Sequence, residues 1–139
     1  MGYEFLEHKS DALFRATGKT YEEALESAAN AMFEVICDSE KVPKSEEVGV
    51  EVSAPNIREL TVGVLAELLS EMQINELFFN SFKVTGFQEK NGAYSVKGVA
   101  SGAPASPELG RTDVKAVTYH EFEAVEGEGG WSLQVLLDI

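Results

Sequence analysis

The run Tyr3-Glu4-Phe5-Leu6-Glu7-His8-Lys9-Ser10-Asp11-Ala12-Leu13-Phe14-Arg15-Ala16 decides how the rest of the chain is read. Tyr3–Leu6 and Ala12–Ala16 read as short strands, and the five polar residues between them as a tight connection. Asp and Ser favour such connections because their side chains hydrogen-bond to nearby backbone. The connection also gathers His8 with the carboxylates of Glu7 and Asp11, in a chain with only two histidines. Whether it is a plain turn or part of a site depends on which distant residues the fold brings to it.

Downstream, Thr20 and Glu23 form a capping box, which satisfies free N–H groups at a helix start. The helix runs from Tyr21 to Ile36, with Leu25, Ala28, Ala29, Met32, Phe33 and Ile36 at three- and four-residue spacing. Its small residues, Ala24, Ala28, Ala29 and Ala31, allow close approach to a sheet. Asp38-Ser39-Glu40 and Pro43 end it. Val48, Val50 and Val52 then alternate as a half-buried strand, and Pro55-Asn56 closes that strand. Asn56 with Glu59 caps a second helix from Ile57 to Gln73. Its stripe is Ile57, Leu60, Val64, Leu65, Leu68, Leu69 and Met72.

Phe82–Glu89 pairs with Ala93–Ala100 across Lys90-Asn91-Gly92, a strong hairpin signal because Asn and Gly tolerate positive φ. Residues 102–113 read as a long connection rich in Ala, Pro, Ser and Gly, a kind often functional or mobile. Val114–Val125 is a strand or a bent strand pair, Gly127–Gly130 a turn, and Trp131–Ile139 a central strand. The expected fold is α+β: two helices on one face of a mostly antiparallel sheet of about seven strands. No repeat or linker divides the chain, so residues 1–139 read as one domain.

Charge sets the partner class. With 24 acidic residues against 11 basic ones the formal charge is −13. Nucleic-acid binders draw their affinity from Lys and Arg on phosphates, so tight direct binding to RNA or DNA is excluded. The charge would also suit metal cations or a basic protein partner, but on composition solubility alone is the better account. No apolar run is long enough to span a bilayer, and no secretory leader is visible. One cysteine, Cys37, excludes an internal disulfide and fits a reducing compartment. The reading is cytoplasmic, with no membrane contact.

Common catalytic signatures are missing, and one Cys with two His rules out a standard structural zinc site. Cys37 reads as a small packing residue, His120 as structural, and Arg111, Asp113 and Lys115 as a solvated rim. Asp138 is different, because it ends the apolar run Leu133–Leu137. A carboxylate there needs a cation, a hydrogen-bond partner or exposure. Exposure is the cheapest account. Asp11 could also reach that end of the sheet, and two carboxylates plus a backbone carbonyl suit a hard cation such as Ca2+ or Mg2+. Spacing alone does not rank this pairing above exposure.

The two ends of the chain resemble the archease family. Tyr3–His8, Asp11, Arg15-Ala16, Gly18-Lys19-Thr20 and Glu22-Glu23-Ala24 match its opening, with Ala31-Met32-Phe33 next. Val114–His120, Gly130-Trp131 and Leu137-Asp138-Ile139 match its close. The resemblance implies an accessory protein, not an enzyme, that activates an RtcB-type tRNA-splicing RNA ligase. It would promote ligase guanylylation and repeated turnover in tRNA exon joining, meeting tRNA only through the ligase. It also implies a divalent metal, Ca2+ by family habit with Mg2+ or Mn2+ as alternatives. The ligands would be the Asp11 and Asp138 carboxylates and the main-chain oxygen of Ile139. Lys115 falls in a functional motif of the family and, with His8 and Arg111, is assigned to contact with the ligase or its nucleotide.

This chain departs from the family in having Lys9-Ser10 where Thr-Ala is usual. Lys9 sets a positive charge beside the cation site, weakening it or marking contact with an acidic partner. Ile139, as the last residue given, could also ligate through a terminal carboxylate. Two alternatives stand beside the activator reading. One is a metal-dependent hydrolase using Asp11 and Asp138 with His8 as proton carrier. The other is a chaperone-like binding module with an exposed apolar patch.

Overall fold

The computed structural model describes residues 2–8 and 11–139. The elements run β1 (Gly2–Leu6), β2 (Asp11–Gly18), α1 (Tyr21–Ile36), β3 (Glu46–Ala54), α2 (Ile57–Ile74), β4 (Leu77–Lys90), β5 (Ala93–Pro104), β6 (Ala116–Gly127) and β7 (Gly130–Asp138). Short 3-10 turns sit at Ser39–Lys41 and Pro107–Leu109.

Both helices start at their caps. Thr20 Oγ1 accepts from the Glu23 N–H at 3.2 Å, and the Glu23 carboxylate reaches back to the Lys19 N–H at 3.0 Å. Asn56 Oδ1 accepts from the Glu59 N–H at 2.8 Å. Each bond satisfies an N–H that the helix itself cannot. Asn75 closes α2, and Glu76 takes a left-handed φ of 52° to turn the chain into β4.

The class, the two helices and the seven antiparallel strands are as the sequence indicates. The strands, however, divide between two sheets, in the orders β1-β2-β7-β6 and β3-β5-β4. The helices make this division possible. α1 is buried beyond a single stripe, with Ala24, Ser27 and Ala31 packed as well as Leu25, Ala28 and Met32. A helix with so wide an apolar arc can face two surfaces. It packs on β1, β2 and β7 of one sheet and on β4 of the other, while α2 packs on β3, β4 and β5 and on β6. Tyr21 shows the join: its ring meets Phe87 of β4 at 4.9 Å and Trp131 of β7 at 5.4 Å. Its hydroxyl is satisfied by Thr61 of α2 at 2.7 Å, and Thr61 donates onward to the Ile57 carbonyl at 2.8 Å. Burial raises the Tyr21 pKa, so the phenol stays protonated.

Phe14, Phe33, Phe79, Leu133 and Leu137 are completely buried. Each stabilises the fold by about 1.5–3 kcal/mol through removal of apolar surface from water. The second sheet is longer than the sequence suggests. β4 begins at Leu77 rather than Phe82, and β5 continues to Pro104 rather than Ala100. The open connection is therefore 105–115.

β4 carries two register shifts, one between Val84 and Gly86. A bulge leaves ladder N–H groups without partners, and here α1 supplies one. The Glu26 carboxylate, 17% exposed, accepts from the Val84 N–H at 2.8 Å. Glu26→Ala is expected to cost about 1–3 kcal/mol by leaving that group unsatisfied, whereas Glu26→Gln keeps an acceptor and most of the stability. Urea unfolding of the two variants checks this; equal losses would mean that charge matters and the acceptor does not.

Candidate metal centre

The register of β2 against β7 sets Asp11 directly opposite Asp138. Side chains at opposed positions share a face, with Cβ atoms about 4.5–5.5 Å apart. Alternation sends Ala12, Phe14 and Ala16 inward, Phe14 and Ala16 with no exposed surface. Asp11, Leu13 and Arg15 thus share the outer face with Asp138, Leu136 and Gln134. β6 joins at the same end, where Ala116 opposes Asp138 and the Lys115 N–H donates to the Asp138 carbonyl at 2.7 Å. Ile139 comes directly after, 36% exposed.

His8 stands beside the pair. Its Nδ1 lies 3.5 Å from Asp11 Oδ2, and its Nε2 meets Glu121 Oε2 at 2.8 Å. Glu121 comes from β6, at a register shift between Thr118 and Glu123, and has a left-handed φ of 54°. Its carbonyl accepts from Gln134 Nε2 at 2.9 Å. Gln134 Oε1 accepts from Arg15 Nη2 at 2.9 Å, and Arg15 Nη1 lies 3.6 Å from Glu4 Oε1. A polar arc thus crosses the outer face of all four strands and ends on Asp11.

The remaining candidates are scattered. The Lys115 side chain is exposed, next in sequence to the strand end that faces Asp138. Arg111 is engaged elsewhere: its guanidinium pairs with the Glu34 carboxylate, donates to the Glu34 carbonyl at 3.1 Å and lies 3.5 Å from Asp38 Oδ1. It clamps the 105–115 connection to the end of α1. Lys9 and Ser10 lie outside the described residues. His120 is exposed on β6. Cys37 is fully buried and its thiol donates to the Phe33 carbonyl at 3.4 Å. Burial pushes the thiol up to about 11, which suits packing and not nucleophilic chemistry.

Like charges directly opposed across a sheet destabilise it unless something neutralises them. Two carboxylates with a main-chain oxygen and water form a donor set that a hard cation accepts. Among the described residues no three His, Cys, Asp or Glu side chains gather closely enough to hold a metal alone. A cation here would therefore depend on main-chain oxygen and water besides Asp11 and Asp138. The residues fit such an ion.

Sequence reading missed Glu121. Thr118-Tyr119-His120-Glu121-Phe122-Glu123 shows nothing to mark extra residues, so the only available signal was the allowance for a bent strand in this region.

Fold and site together define a class: a small acidic α+β domain whose helices join two antiparallel sheets and whose β2 and β7 oppose two carboxylates at one sheet end. Residues 3–139 match the model of the Archease protein family (MTH1598/TM1083). The protein archease of Methanosarcina mazei is 44% identical over 139 residues, covering 99% of this chain and 95% of that protein. The protein archease of Pyrococcus furiosus is 36% identical over 140 residues, covering 99% and 98%. The chain belongs to the archease family. The solution structure of protein 1598 of Methanobacterium thermoautotrophicum is similar throughout, with a TM-score of 0.85, 34% identity and 99% of both chains covered. A Thermotoga maritima crystal structure, described as an archease and possible chaperone, shares the fold, with a TM-score of 0.62, 18% identity and 96% and 94% coverage. No helix among the described residues is long and apolar enough to cross a membrane.

Proposed function

We propose that this chain activates an RtcB-type tRNA-splicing RNA ligase by promoting its guanylylation, without covalent chemistry of its own. It would hold a divalent cation, Ca2+ in the first place, on Asp11, Asp138 and the main-chain oxygen of Ile139. Family membership supports the role, and the direct opposition of Asp11 and Asp138 carries the site. The charge of −13 favours a cation and a basic protein surface, and leaves tRNA to be met through the ligase.

A bound cation would supply concentrated positive charge at the sheet end. The chain's own residues do the rest. Asp11 and Asp138 offer oxygen donors, the Lys115 N–H fixes the Asp138 main chain, and the Lys115 ammonium stands exposed for a partner carboxylate or a nucleotide phosphate. Tyr3 and Phe5, exposed on the edge strand β1 and edge-to-face at 5.7 Å, favour a protein as partner. The hydrolase alternative asks His8 to carry protons, yet its Nε2 is engaged by the Glu121 carboxylate, which suits holding more than shuttling.

Ligase–GMP formation by an RtcB-type ligase, followed with and without this protein, tests the role. Acceleration is expected. Lys115→Ala should reduce it roughly tenfold, the scale of one charged contact, while leaving thermal stability unchanged. A ligase rate indifferent to the parent protein would sink the proposal.

A further inference from the structure

We propose that Glu121, acting through His8, positions the Asp11 carboxylate for the cation, so that the irregular part of β6 belongs to the site. This rests on the proposed metal site and adds two positioning residues to it.

Three observations converge. Between Thr118 and Glu123, five steps along β6 advance against only two along β7, from Leu136 to Gln134. The excess chain must leave the ladder, and Glu121 takes a left-handed φ of 54° within it. A non-glycine residue in that region is uncommon and costs free energy. The residue bearing the strain is also the one whose carboxylate meets His8 at 2.8 Å. It is pinned from the other side as well, since its carbonyl is held by Gln134 at 2.9 Å, and Gln134 by Arg15 at 2.9 Å. A bulge serving only to end a strand would not need its glutamate fixed at both main chain and side chain.

His8 connects this anchor to the site. With Nε2 engaged by Glu121, the ring is oriented and Nδ1 is set 3.5 Å from Asp11 Oδ2. Asp11 thus has the His8 ring close against its carboxylate and Asp138 opposite it on β7, which repels it. Without the Glu121–His8 support the Asp11 carboxylate is free to swing away from Asp138 and would have to be re-ordered when a cation binds. Carboxylate ligands are generally held by such outer partners, whose loss lowers metal affinity by about 10- to 100-fold.

Calorimetric titration with CaCl2 alone, at fixed pH, tests the proposal on variants chosen to fold. Glu121→Gly removes the carboxylate and suits the left-handed backbone. Glu121→Gln keeps an acceptor for His8 while removing the charge. Glu121→Gly is expected to bind Ca2+ roughly tenfold more weakly, and Glu121→Gln only about threefold, the scale of one exposed charge. His8→Ala should reproduce Glu121→Gly, and the double variant should be no weaker than either, because the residues act as one unit. In EDTA all variants should melt close to the parent. Parental affinity in Glu121→Gly, equal losses in Gly and Gln variants, or additive losses in the double variant would each overturn the proposal. A parent that binds no Ca2+ would instead defeat the metal site itself, and this inference with it.

Discussion

Asp138→Asn is expected to raise the melting temperature of the cation-free protein slightly and to remove most of the stabilisation that Ca2+ gives the parent. The two effects have opposite signs for one reason. Without a cation, the opposed Asp11 and Asp138 carboxylates repel across β2 and β7, and relieving one such contact is worth about 0.2–1 kcal/mol. With a cation, the same two charges are the main donors. Affinity in oxygen sites tracks the number of charged ligands over several decades, so losing one of two should weaken binding roughly hundredfold. At Ca2+ near a hundred times its dissociation constant the parent gains about 2.7 kcal/mol. For a chain of this size that is on the order of 10 °C in Tm. Asp11→Asn should lose the Ca2+ effect equally but gain less in EDTA, because it also forfeits the approach of His8 at 3.5 Å. Thermal melts in EDTA and in excess CaCl2 read out both signs. An Asp138→Asn protein that still gains the full Ca2+ increment would remove this residue from the site.

The largest loss of stability is expected at Gly102. It lies in β5 between Glu46 of β3 and Phe79 of β4, beside the register shift between Phe79 and Ser81. A Cβ at this position would run into the Phe78 carbonyl oxygen, with the Phe78 carbonyl carbon and the Phe79 Cα each 2.9 Å away. All of these are backbone atoms of the neighbouring strand, so no rotamer change relieves the overlap. Overpacking against movable side chains costs about 1–3 kcal/mol. Against a ladder, Gly102→Ala should cost about 3 kcal/mol or more, lowering Tm by on the order of 10 °C. Gly49→Ala on β3 is the control, since its Cβ would meet nothing within 4 Å, and it should melt near the parent. Equal melting of the two variants would refute the close approach of β4 and β5.

Local signals were fully legible. The Thr20–Glu23 and Asn56–Glu59 pairs placed both helix starts because a cap acts within three residues. Asn91-Gly92 placed a hairpin because φ values of 54° and 77° are what those residues tolerate. The partition into two sheets was not legible, since alternating strands read alike whether one sheet or two lies against the helices. The sequence places Gly102 in a connection and gives Leu77 to no element for a related reason. Their strands continue through a bulge and a glycine, which mimic loop composition. The opposition of Asp11 and Asp138 is a matter of register between segments at opposite ends of the sequence. Spacing could not rank it, and it was the family resemblance that singled those residues out. Glu121 had neither kind of signal, because a bulge is set by the partner strand's count and not by its own sequence.

The neighbouring of β2 and β7 has a consequence for how the molecule is made. The first hairpin, with Phe14 and Ala16 on its inward side, must wait beside an open strand edge while α1, β3, α2 and the second sheet are formed. Such distant pairing is slow, because the entropy of closing the intervening loop is met before the contact rewards it. Until β7 docks, that edge is where the nascent chain is most open to pairing with another. A cation seated between Asp11 and Asp138 would then hold closed a seam that folding closes late. Cation-dependent protection from protease, followed during refolding, would time its closure.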